Sequence, residues 1–191
     1  MFKSIFALLA FSLLIFTASL NAQDEMSADQ KAWMEYMTPG PMHEMMAESV
    51  GEWNTKSTFW MNPEGKPMES EGTAKFEMIL GGRYLKSTHT GPMMGMQFEG
   101  IFLQGYDNAT GEFTATWIDN MGTGISVSKG TYDEGTKTLN FTGTMIDPMS
   151  GKEVHYRQTI KLIDYNHQVI EMFIQEEGKE FNNMIIELTK K

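Results

Sequence analysis

The residues that invite a chemical reading are few, and each lacks a partner. His43-Glu44-Met45-Met46-Ala47 opens like the zinc helix His-Glu-x-x-His, where two imidazoles one turn apart hold the ion. Ala47 stands where the second imidazole belongs, so that site does not form. Gly124-Ile125-Ser126-Val127-Ser128 lacks the closing glycine of a nucleophile elbow. Gly151-Lys152 is followed by Glu153, and Ile146 occupies the place of the first glycine of a phosphate loop. Cysteine is absent, which removes thiol nucleophiles, thiolate metal sites and disulfides. Carboxylates are plentiful, but their spacing selects no acid–base pair. No catalytic residue is assigned, and an enzyme stands behind the binding and structural readings.

The methionines are the other chemical candidates. The chain holds 18 of them, clustered at Met42, Met45 and Met46 beside His43 and again at Met93, Met94 and Met96. Thioethers are soft ligands for Cu(I). Methionine is also the adaptable filler of apolar pockets. No Met-x-Met array repeats, so packing is expected and no metal ligand is assigned.

The elements that must carry these residues follow from composition and period. With 41% apolar and 21% charged residues the composition is that of a globular chain. Fifteen basic against 25 acidic side chains leave a net charge of −10, which excludes a broad basic surface for nucleic acid. Met1-Phe2-Lys3, the apolar run Ile5 to Phe16 and the small residues up to Ala22 have the layout of a signal peptide. Residues 1–22 are therefore expected to be cleaved, giving a periplasmic or secreted protein starting at Gln23. No second apolar run approaches the length of a membrane span.

Residues 23–50 read as a helical segment. Ser27-Ala28-Asp29-Gln30 is a capping box, a first helix runs to Met37, and Pro39-Gly40-Pro41 separates it from a second over Met42 to Ser49. Trp33, Met34 and Met37 share one face of the first helix and Met42, Met45 and Met46 one face of the second, and these faces are expected to lie on the main domain or across its mouth. From Gly51 the period becomes two. Trp53–Met61, Gly72–Leu80, Arg83–Thr90, Phe98–Tyr106, Phe113–Asp119, Ile125–Lys129, Thr138–Met145, Val154–Ile163, Val169–Gln175 and Phe181–Leu188 read as about ten strands with no helix between them. Met68–Ser70 extends the second. Short connections force antiparallel pairing of neighbours, and closure removes the exposed edges. Residues 51–191 are thus expected to form an all-β, ten-stranded, antiparallel up-and-down barrel behind short N-terminal helices.

A barrel of that size either fills with side chains or holds a small ligand. The expected lining of a cavity is Trp53, Phe59, Phe98, Phe102, Trp117, Tyr156 and Arg157, with Phe113 and Phe173 as further apolar lining and the charged Glu99 and Glu171 within the same strands. Gly81-Gly82 is expected to turn a two-residue hairpin. Asp107-Asn108 with Gly111 should turn a longer one, and Asp119 should cap the loop that follows it.

Gly51-Glu52-Trp53 resembles the Gly-x-Trp opening of the calycin superfamily, the lipocalin-like ligand-binding barrels. That resemblance implies a tryptophan plugging the closed end. The ordered blocks His43-x-x-Met46, Gly81-Gly82-Arg83-Tyr84-Leu85, Phe98-Glu99-Gly100, Gly105-Tyr106-Asp107-Asn108, Thr116-Trp117-Ile118-Asp119 and Gly122-Thr123-Gly124 resemble a family of exported bacterial proteins known as domain of unknown function 1579. The likeness runs from about Pro41 to Lys190 and implies a lipocalin-like barrel with no established activity. Some small lipocalin-like barrels bind haem through one histidine, for which His89, His155 and His167 stand available. Those barrels follow Gly-x-Trp with further glycines, whereas this chain has Asn54-Thr55-Lys56. The reading from sequence is a barrel that binds a small, largely apolar ligand and no cofactor. Its alternatives are a solid-core structural or partner-binding module of the cell envelope and, third, copper or haem binding or an enzyme acting in the cavity. Protein partners are not specified.

Overall fold

A computed structural model describes residues 26–191, apart from Met149 and Glu177 and the side chain of Glu176. The expected signal segment, residues 1–22, lies outside the described residues. The chain falls into two compact units, one ending at Glu35 and one spanning Tyr36–Lys191. Helix α1 (Ala28–Met37) begins in the first unit at the expected capping box: the Ser27 amide donates to Gln30 Oε1 at 2.8 Å and the Gln30 amide to Ser27 Oγ at 3.2 Å. None of its residues is buried, and Trp33 is 60% exposed.

The second unit opens with helix α2 (Pro41–Ala47), followed by ten strands. They are β1 (Gly51–Phe59), β2 (Met68–Ile79), β3 (Tyr84–Met93), β4 (Met96–Asp107) and β5 (Glu112–Asp119), then β6 (Ser126–Asp133), β7 (Thr138–Ile146), β8 (Glu153–Asp164), β9 (His167–Glu176) and β10 (Lys179–Lys190). Each pairs antiparallel with its successor, and β1 pairs with β10 from Trp53↔Lys190 to Phe59↔Met184, closing the barrel. Among the described residues the ladder breaks register between Asn182 and Met184 and between Leu162 and Asp164. Such bulges bend the strand that carries the extra residue.

Turn chemistry differs from expectation at one hairpin. Leu80, Gly81 and Gly82 all have positive φ (49°, 67° and 82°), so β2 and β3 are joined by a four-residue loop rather than a two-residue turn. Glycine carries two of the three positions because it adopts this backbone without a Cβ clash. The β4–β5 turn is as expected: the Gly111 amide donates to Asp107 O and the Ala109 amide to Asp107 Oδ1, both at 2.8 Å.

Two glycines inside the barrel mark a close approach. A Cβ on Gly100 would stand 2.4 Å from the Trp117 ring, and one on Gly143 would stand 2.7 Å from the Tyr156 hydroxyl. These aromatics lie flat across a neighbouring strand because that strand offers no side chain. The ring fills the missing side chain's place and leaves the bore open.

At the end where β1 starts, Trp53 is fully buried. Its indole N–H donates to Ser49 O at 2.9 Å, Phe76 meets it edge-on at 6.0 Å, and the Lys190 ammonium lies 5.4 Å from its ring centre. Met46 of α2 is buried in the same apolar cluster. Truncating a buried tryptophan costs about 3–5 kcal/mol in lost transfer energy and void. Trp53→Ala should lower the unfolding free energy in urea by that amount, whereas Trp33→Ala should change it by less than about 1 kcal/mol. Similar effects from the two variants would contradict the plug.

Candidate functional site

Antiparallel register decides which residues share the bore. Cα partners face the same way, so Trp53, Ala74, His89 and Gly100 form one inward row, and Phe76, Ser87, Phe102 and Trp117 the next. These inner faces surround a pocket of about 360 Å³. At the plugged end it is bounded by Met45, Met46 and Ser49. Phe76, Phe102, Leu139, Ile160 and Ile170 form its middle, and Met93, Met121, Met145, Met172 and Met184 its mouth.

Of the residues expected to line it, Phe59, Phe98, Phe102, Trp117 and Tyr156 do so. Trp53 lies beneath the pocket as the plug and does not bound it. Arg157 does not line it, since successive strand residues face opposite sides and Tyr156 takes the inward one. Arg157 stacks outside on Phe173, 3.8 Å from guanidinium carbon to ring centre, and donates to both carboxylate oxygens of Glu180 at 3.0 and 2.8 Å. Phe173 is displaced to the outer face for the same reason. His155 and His167 are exposed, and His167 holds Asp164 through Nδ1 at 2.9 Å. His43 is buried in α2, where its Nδ1 accepts from the Gly40 amide at 3.1 Å and burial lowers its pKa.

Polar lining residues are spread round the bore, and one group of them stands on β3, β4 and β5. Ser87 and His89 are buried, with Ser87 Oγ and His89 Nε2 2.9 Å apart. Phe76 and Trp117 flank the imidazole at 5.8 and 5.4 Å. Burial among these rings lowers the His89 pKa to about 4. A serine and an imidazole at this distance form the first half of an activated nucleophile. Among the described residues no carboxylate is bonded to the ring, and a base this weak removes a hydroxyl proton poorly at neutral pH. The pair therefore acts as a neutral polar patch.

Trp117 extends the patch towards the mouth. Its indole N–H donates to Asp119 Oδ2 at 2.6 Å, while Asp119 Oδ1 accepts the amides of Met121 and Gly122 at 2.9 and 3.1 Å. Asp119 thus caps its loop, as expected, and also anchors the Trp117 ring in the wall. Gln104, which sequence reasoning passed over, faces the pocket with 1% exposure. Its signal was parity: it stands two residues beyond Phe102 and six beyond Phe98 on one strand.

The model of the family described as "Protein of unknown function (DUF1579)" matches residues 38–190. No curated protein matches the chain. Among solved structures it is similar to Rv2717c from M. tuberculosis, at 14% identity and a TM-score of 0.61 over 81% of this chain and 99% of that one. It is also similar to the S-type phycobiliprotein lyase CPES from Guillardia theta, at 10% identity and a TM-score of 0.54 over 83% and 96% of the two chains. At these identities the likeness establishes the lipocalin-like barrel alone.

His89 makes a prediction with a definite sign. Unfolding frees the ring to protonate near its ordinary 6.5, against about 4 in the fold. Above pH 6.5 the folded state bears no penalty, and stability is lost as pH falls from there towards 4. The loss is on the order of 2–3 kcal/mol. Imidazole nitrogen shifts should show His89 neutral at pH 5.5, and His89→Phe should flatten the fall in urea stability over this window. A ring protonating at its ordinary value would place it in solvent.

Proposed function

The chain belongs to the DUF1579 family, and from that premise we propose that it is an exported binding protein holding a small, largely apolar ligand inside its barrel. The observation that carries this reading is the pocket of about 360 Å³ between the Trp53 plug and the methionine-lined mouth. Ligand sites are concave and mostly apolar, with a few placed polar groups, which matches Phe102, Leu139, Ile160 and Ile170 beside Ser87, His89 and Gln104. Thioethers at the mouth suit a varied entrant, because methionine repacks cheaply. Export rests on Lys3, the apolar run to Phe16 and the small residues before Gln23. Release into the periplasm or medium follows from cleavage after Ala22.

Native mass spectrometry tests both parts. Protein recovered from the periplasmic or secreted fraction should begin at Gln23 and carry an added small-molecule mass that denaturation and refolding remove. A bare polypeptide before and after refolding would favour a module acting through its outer surface. An intact Met1 would reject export.

A further inference from the structure

The inner wall contains a hydrogen-bond donor that meets no acceptor among the described residues. Gln104 is among the most deeply buried large side chains, and its Nε2 has no partner among the described residues. It faces the pocket on β4 at the level of Leu85, its register partner. Ser87, opposite Phe102, is its diagonal neighbour on the same inner face. The Ser87 hydroxyl is in turn joined to His89. Gln104, Ser87 and His89 therefore form one polar wall, with Met46 and Ser49 bounding the plugged end of the same pocket. A buried amide donor left unmade is costly, and a ligand atom that accepts from it recovers that cost.

The charge around this wall restricts what the acceptor can be. No lysine or arginine lines the pocket, and Asp119 is its single carboxylate among the described residues. The His89 ring, with its lowered pKa, supplies no positive charge at neutral pH. An anionic head would be buried without a counter-ion, which desolvation strongly opposes. Resting on the reading that the pocket holds a ligand, we propose that the ligand is an apolar molecule with one uncharged oxygen acceptor, of the ketone, ester, amide or ether kind. The Gln104 amide, covered in the unliganded wall, turns about its terminal side-chain bond to hold that oxygen deep in the barrel, beside Ser87 and His89. The hydrocarbon body runs past Phe102, Ile160 and Ile170 to the methionines at the mouth.

Three probes of one chain length test the head group: methyl nonyl ketone, undecanoate and undecane, each competing with bound Nile red near neutral pH. The ketone should bind at least about tenfold tighter than undecanoate. Gln104→Leu should lower the ketone-to-undecane affinity ratio by about tenfold while undecane binds as before. Undecanoate binding as tightly as the ketone would overturn the proposal without any variant. An unchanged ratio in a folded Gln104→Leu would overturn the role of Gln104. If Nile red and all three probes fail to bind, the ligand-binding reading itself falls, and this one with it.

Discussion

Everything inside the barrel is referred to one buried contact, the Trp53 indole N–H bonded to the Ser49 carbonyl. The ring crosses the bore where β1 begins, and its N–H would be an unmet donor without the turn after α2. That bond ties the helix to the barrel floor. Gln168 strengthens the tie by donating through Nε2 to Ser49 Oγ at 2.8 Å, as does the Lys190 ammonium on Glu48 O at 3.1 Å. With the floor fixed and β1 joined to β10, the parity of every strand is set. One slip would turn each inward row outwards.

The remaining aromatics then divide between filling and lining. Phe113 and Phe141 are buried near the plug and meet edge-on at 6.5 Å. Trp117 and Tyr156 lie across glycines, where a Cβ would collide, so their rings stay against the wall. The pocket is what remains between these two arrangements. Ser87, His89 and Gln104 face it from β3 and β4, and Leu139, Ile160 and Ile170 from β7, β8 and β9.

Much of this was legible in the sequence. Alternation and turn residues locate all ten strands because the bore enforces a period of two, and Gly51-Glu52-Trp53 places the plug. Strand ends were less legible, since β6 runs on to Asp133 through Gly130 and Thr131, where composition resembles a loop. Arg157 and Phe173 went to the wrong face because aromatic character alone does not fix parity; their neighbours Tyr156 and Met172 do. Gln104 and His89 were illegible as a site for a related reason. Gln104 comes near Ser87 through β3–β4 register, which no local pattern encodes, whereas His89 stands two residues along β3 from Ser87 on a stretch whose polar residues mark neither face as inward. The Gly81-Gly82 loop was longer than expected because Leu80 also takes positive φ, a cost a single sequence does not advertise.

The central claim is that the barrel holds usable space above its plug. Ser57 lines that space from β1, so Ser57→Trp distinguishes an open bore from a solid one. Urea unfolding and Nile red titration of the wild type and this variant should give stability changed by less than about 1 kcal/mol, with probe binding present in the first and lost in the second. A loss of about 1–3 kcal/mol, the cost of overpacking a filled core, together with no probe binding in the wild type, would contradict it.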